Sequence, residues 1–244
     1  MRGFAVFVGA SALLLAGTSQ ARDLDFPDPG MGQDAFRAIS EDLGALLSYK
    51  PLQPAEPLGV VGFDIGVEWT STFVENSEEW AQATGSDIDT FPMARLSAQK
   101  GLPFGIDVGA TYASAPDSDV EIIGAQVRYA LMKGGIASPA LGIRAGYTQV
   151  VGHDDIDFRT SSVDLSLSKG FGPLTPYGGV GQVWITSDYT GDEALLQDNL
   201  EEEDFSESKV FAGLRMNFVL FKLTAEVDQT GDATSLSAKF SLGF

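Results

Sequence analysis

The chain has 244 residues, with 15 Lys+Arg against 34 Asp+Glu, a formal net charge of -19, no cysteine and a single histidine. At 44% hydrophobic and 28 glycines it is too apolar and varied for a disordered chain. The acidity argues against a nucleic-acid partner, and the absence of cysteine excludes disulfides, thiolate metal sites and cysteine catalysis. One histidine cannot build a histidine-rich metal centre, and no metal or other cofactor is expected.

The first element is an address. Met1 and Arg2 give a positive start, Phe4–Ala16 is an apolar run of about a dozen residues, and Ser19-Gln20-Ala21 carries small residues at the positions a signal peptidase reads. Residues 1–21 are predicted to be a signal peptide cut after Ala21, the alternative being an N-terminal anchor. No later apolar run approaches the roughly 20 residues that a membrane-spanning helix requires.

Residues 22–58 form a second unit. Phe36, Ile39, Leu43, Leu46 and Leu47 recur at spacings of three and four, which predicts an amphipathic helix over Asp34–Tyr49. Pro51, Pro54 and Pro57 then suit an extended linker. A helix with one apolar face must dock on something, so it caps the main domain, plugs it, or lies on lipid.

From Gly59 to Phe244 the period becomes two. Val61, Phe63, Ile65, Val67 and Trp69 alternate with polar or small residues, as do Phe104 to Tyr112, Ile123 to Leu131, Leu141 to Tyr147, Val163 to Leu167, Val210 to Phe218, Phe221 to Val227 and Leu236 to Phe244. Met93–Lys100 and Tyr177–Thr186 alternate less cleanly. Together they predict ten strands, with helical interruptions not expected after residue 59. Short connections follow the even strands, and longer or polar ones follow the odd strands, with acidic loops at Glu75–Phe91 and Ser187–Glu207. That is the layout of an all-β, antiparallel, up-and-down transmembrane barrel.

Alternation alone also fits a soluble lipocalin-like barrel. Three features favour lipid on the apolar face. Glycines crowd the polar face (among them Gly66, Gly109, Gly124, Gly146 and Gly213); aromatics gather near strand ends, with Phe73, Tyr112 and Tyr147 towards the long loops and Phe104, Tyr129, Phe218, Phe221 and Phe240 towards the short turns; and midstrand apolar positions carry almost no charge. The last segment, Leu236 to Phe244 with Phe240, Leu242 and terminal Phe244 on one face, resembles the closing strand of bacterial outer-membrane β-barrel proteins. In that superfamily this pattern is read by the barrel-assembly machinery. The resemblance implies a bacterial, Gram-negative outer-membrane location and lipid and lipopolysaccharide as partners. An even strand count adds the expectation that both chain ends are periplasmic.

The inward face predicted by this parity carries Asp64, Glu68, Asp107, Asp164, Glu226 and Asp228 against Arg95, Arg128, Arg144, Lys209, Arg215, Lys222 and Lys239. A mixed lumen of this kind fits interlocked ion pairs or a thin hydrated pore, and ten strands favour a narrow or occluded one. The expected function is a structural barrel or limited, porin-like passage of a small solute. The alternative is a surface-binding or adhesion module acting through the acidic loops, with an enzyme third. His153 beside Asp154 and Asp155, with Ser161 and Ser162 downstream, lacks a nucleophile at close spacing and reads as a solvated loop residue, so no catalytic site is expected. The acids from Asp188 to Glu207 read as a solvated loop rather than a Ca²⁺ site. Outer-membrane fatty-acid transporters also carry an N-terminal segment inside a barrel, but their barrels have more strands than this chain can supply.

Overall fold

The computed structural model describes residues 31–84, 88–114, 120–135, 137–152, 155–191 and 200–244. The expected signal peptide, His153 and Asp154, and the loop acids Asp192, Glu193 and Asp198 lie outside the described residues.

Ten antiparallel strands close into a barrel in which each strand pairs with its sequence neighbours and β1 pairs with β10. They are β1 (Phe63–Phe73), β2 (Thr90–Gly101), β3 (Ile106–Ser114), β4 (Glu121–Lys133), β5 (Ala140–Val151), β6 (Ile156–Ser168), β7 (Leu174–Tyr189), β8 (Glu203–Asn217), β9 (Phe221–Thr230) and β10 (Ala233–Gly243). The shortest, β3, has 9 residues and the longest, β7, has 16; a tilted strand needs about 9–11 to cross a bilayer core.

The barrel is inside out relative to a soluble one. Trp69, Leu96, Val127, Leu165, Val180 and Leu236 are exposed, while all seven cations and six carboxylates assigned to the inward face are buried. The aromatic groups also face outward. Phe73, Tyr112 and Tyr147 are exposed towards the long loops, and Phe218 stacks on Phe221 at 4.4 Å towards the short turns. Phe240, Leu242 and Phe244 are exposed on the closing strand.

Two sequence expectations need correction. A helix does interrupt the barrel region: α2 (Ser77–Thr84) stands in the first long loop, started by Glu78 and Glu79 near its positive end and pinned by buried Trp80. Phe104 belongs not to a strand but to a single 3-10 turn, Pro103–Gly105, with φ +66, so β3 begins at Ile106. Phe244 lies beside Phe63 at the short-turn end, while Met31 packs with Trp80, Ile88 and Tyr189 at the long-loop end, so residues 31–58 cross the lumen once.

Candidate functional site

The lumen is where sequence and geometry concentrate. The N-terminal helix, α1 (Gln33–Leu47), sits in the long-loop mouth, two residues shorter at its end than the spacing suggests. Its apolar stripe meets two clusters. Phe36 and Ile39 pack with Met31 and Trp80 near the rim. Leu46 and Leu47 pack lower, with Ala113, Ile122, Phe158, Val183, Ile185 and Phe205 of the barrel wall. Val183 and Ile185 are inward residues of β7, which explains that strand's irregular alternation: its interior face is apolar where α1 touches it. Gly44 lets the helix approach, since a β-carbon there would fall 2.2 Å from Ile185 Cδ1.

Polar contacts lock the rim. Asp42, on α1, accepts from the backbone N–H groups of Glu75 and Asn76 at 3.2 and 3.3 Å and from Trp80 Nε1 at 3.0 Å. Burial raises its carboxyl above the ordinary value of 3.8, while those three donors pull it back. On the far side Arg37 pairs with Glu203 at 2.9 Å and lies over the Phe205 ring, and Gln33 donates to Glu203 and to the Glu201 carbonyl. The described part of the second acidic loop therefore holds the helix.

Below α1 the chain is extended and runs to the short-turn end. Pro51, Pro54 and Pro57 offer no N–H, and an extended strand without a neighbour leaves its carbonyls needing donors. The wall supplies them. Arg95 donates to the carbonyls of Leu46 (2.5 Å) and Ser48 (3.3 Å), Lys209 to Tyr49 (2.7 Å), Arg215 to Leu52 (3.1 Å), and Arg128 to Pro54 and Glu56. Carboxylates take the free amides: Glu226 accepts from Leu52 N–H at 3.0 Å and Asp107 from Leu58 N–H at 3.1 Å. Leu52 is clamped on both sides of its residue and held at φ +42, a left-handed conformation costly for a branched side chain.

Most of the remaining charges pair within the wall or with the threaded chain, whereas Arg144 and Asp164 make no hydrogen bond. Lys50 binds Asp228 at 2.8 Å and Ser235 Oγ at 3.0 Å; Asp64 joins Lys239 (3.0 Å) and Lys222 (3.3 Å), and Lys239 reaches Glu68 at 3.3 Å. Asp107 also pairs with Arg128. Below the rim the buried charge thus comprises eight cations, Lys50 included, and six carboxylates. The glycines serve the same purpose: the Tyr49 ring rests on Gly124 and Gly146, where added β-carbons would fall 3.4 Å from Tyr49 Cδ2 and 2.9 Å from Tyr49 Cβ.

All thirteen wall charges are buried, and sequence reasoning did not single out Asp42, Tyr49, Lys50 or Trp80. The only available signal was a lysine directly before the prolines of a segment that had to dock somewhere. Of the serines near His153, Ser162 faces the lumen and Ser161 faces out. Among the described residues no group of three or more His, Asp or Glu could hold a metal ion, and no helix is long and apolar enough to cross a membrane, which says nothing of strands.

Among solved structures, the chain is similar to the N-terminal β-barrel domain of Pseudomonas aeruginosa OprF (13% identity, 74% of this chain, 97% of that one, TM-score 0.38). It is also similar to the translocator domain of autotransporter NalP from Neisseria meningitidis (11%, 87% and 98%, 0.39) and to the outer membrane protease OmpT from Escherichia coli (10%, 75% and 94%, 0.33). No curated protein matches the chain in sequence. A family model does match, over residues 70–244, so the chain belongs to the family of unknown function DUF6588.

Proposed function

We propose that this protein is a bacterial outer-membrane β-barrel whose lumen is filled by its own N-terminal segment. In this reading its role is structural, and any passage is limited to small solutes that can move past the threaded chain. The location rests on the outward apolar surface with its two aromatic groups, because exposing that much hydrocarbon to water is costly and burying it in acyl chains is not. The closing-strand pattern at Phe240, Leu242 and Phe244 supports insertion by the assembly machinery, with lipid and lipopolysaccharide as the surrounding partners. No catalytic role is part of the proposal.

One observation carries the occlusion: residues 33–58 run from the long-loop mouth to the short-turn mouth, held by wall cations at successive carbonyls. Planar-bilayer recordings test it. The full-length protein is expected to give no large stable openings, whereas a chain lacking residues 33–58, refolded and checked for heat-modifiable gel migration, is expected to open steadily. Large openings from the full-length chain would sink the reading.

A further inference from the structure

The apolar side chains that project furthest from the barrel are not on its strands. On the strands no large hydrophobic residue exceeds 58% exposure, and the described ones at 60% or more all lie at the short-turn end, led by Val219 (94%), Phe104 (83%) and Val61 (75%). Turns that face water are ordinarily built from polar residues, glycine and proline. The β8–β9 connection, Phe218-Val219-Leu220, has no polar side chain at all. Phe104 keeps an aromatic side chain at φ +66, a conformation that favours glycine or asparagine.

The height of the apolar band says what covers these tips. Tyr112 marks its upper edge, since the tyrosine hydroxyl donates to exposed Glu121 at 2.7 Å, and the outward apolar positions of β3 end below it at Ile106. At about 3.3 Å per residue and a tilt of about 40°, that run rises about 15 Å, against about 25 Å for the apolar band of an outer-membrane barrel. Leu141 to Tyr147 on β5 spans the same height. The band reaches its full height only if the turn tips belong to it. Charge separates the two ends in the same sense. Among the described residues, the exposed or half-exposed charges of the short-turn end are Lys100, Lys133, Lys169 and Glu56, whereas the long-loop end exposes Glu75, Glu121, Asp157, Glu202 and Asp204. Two of these ammonium groups stand at the level of the turns: Lys100 donates to the Val60 and Gly62 carbonyls at 2.6 and 3.1 Å, and Lys169 to those of Gly135 and Ser138 at 2.8 and 3.2 Å.

We propose that the short-turn end is a phospholipid-binding face, sunk into the leaflet instead of standing in water. Its apolar tips lie at the edge of the acyl chains, and Lys100, Lys133 and Lys169 meet the headgroup phosphates, with their aliphatic stems along the apolar turns. Val60 and Val61 are the outlet of the threaded chain, so the leaflet holds its lower end as the rim contacts hold α1. The inference rests on the membrane reading above and adds the lipid chemistry that one end of the barrel takes.

The chain has no cysteine, so single spin labels can be placed on the full-length protein in vesicles of phosphatidylethanolamine and phosphatidylglycerol. Labels are attached at Val219→Cys and Phe171→Cys, with Leu165→Cys in midstrand and Asp204→Cys beyond the band as references. The two turn labels are expected to collide with a water-soluble nickel chelate about tenfold less often than the label at 204, and with oxygen nearly as often as the label at 165. Nickel collisions at 219 and 171 that match those at 204, with 165 still shielded, would overturn this inference alone. Exposure of 165 as well would sink the membrane reading and this inference with it. Spin–spin broadening at 219 would replace the leaflet by a second copy of the chain and overturn the proposal too. The lysines have their own readout. Preference of the boundary lipid for spin-labelled phosphatidylglycerol over phosphatidylcholine is expected to be about two- to fivefold and to vanish in the double variant Lys133→Gln/Lys169→Gln; a preference that survives the double variant would refute the phosphate contacts.

Discussion

The two halves of the threaded segment fill the same lumen by different means. The helical half satisfies its own backbone, so it can rest in an apolar collar of Val183, Ile185, Ile122 and Phe158 with only its rim-facing polar side chains bound. The extended half, interrupted by prolines, cannot satisfy itself, and it lies where arginine, lysine and carboxylate side chains project inward. The lesson is that the barrel's interior polarity follows the backbone needs of what it contains. Inward charge is concentrated where carbonyls are bare, and beside α1 it is confined to Glu203 at the rim and Arg95 at the helix's last turn.

Separating the two halves gives the strongest test. Arg128→Met leaves Asp107 without its cation and two carbonyls without donors, and is expected to cost about 3–5 kcal/mol, as when one partner of a buried pair is removed. Hydrogen exchange should rise over residues 48–58 while α1 stays protected; equal loosening of both halves would show that they act as one unit. Ile185→Ala is the converse. Truncating a fully buried side chain of the collar is expected to cost about 2–5 kcal/mol, with faster exchange in Gln33–Leu47 and little change below. Since the two sites share no partner, the double variant should show nearly additive losses in urea unfolding.

A smaller effect is expected at the junction. Gly146→Ala pushes a methyl against Tyr49 Cβ and Ser162 Oγ and should destabilise by about 1–3 kcal/mol, the range for overpacking, whereas Gly172→Ala at an exposed turn is strained by its φ of +61 without touching the threaded chain. Exchange at residues 48–52 distinguishes the two. The smallest effect concerns pH. Because the Asp42 carboxyl is raised above 3.8, the folded protein holds this proton more tightly than the unfolded chain does. Its contribution to stability is therefore complete below 3.8 and is lost as pH rises through the higher folded value. Unfolding curves above pH 3.8 should show a steeper decline in the natural protein than in Asp42→Asn, where Glu41 and Glu207, also raised by burial, keep a smaller one.

Most of the barrel was legible because a period of two assigns each side chain to a face, and eight of ten segments kept that period cleanly. The two irregular ones had local reasons. Met93 and Phe91 of β2, and Val183 and Ile185 of β7, meet the interior with apolar side chains because α1 or its neighbours lie against them. The helix and its proline-rich continuation were also legible as elements, but not their destination. Periodicity says which side of a helix is greasy; it does not say which lysine reaches Asp228 or which carbonyl Arg95 will find. α2 escaped notice because eight residues with one tryptophan carry too little periodicity to stand out in an acidic loop.

The crossing of the lumen by residues 31–58 also constrains the order of assembly. A ring sealed at the β1–β10 seam cannot be strung afterwards unless the leading end is passed through it, and here the passage is crowded by side chains that grip at each step. The simpler route is to lay the strand pairs around the thread and join the seam last, which makes the thread a template for the bead. Met31 and Phe244 accordingly lie at opposite mouths of the finished barrel.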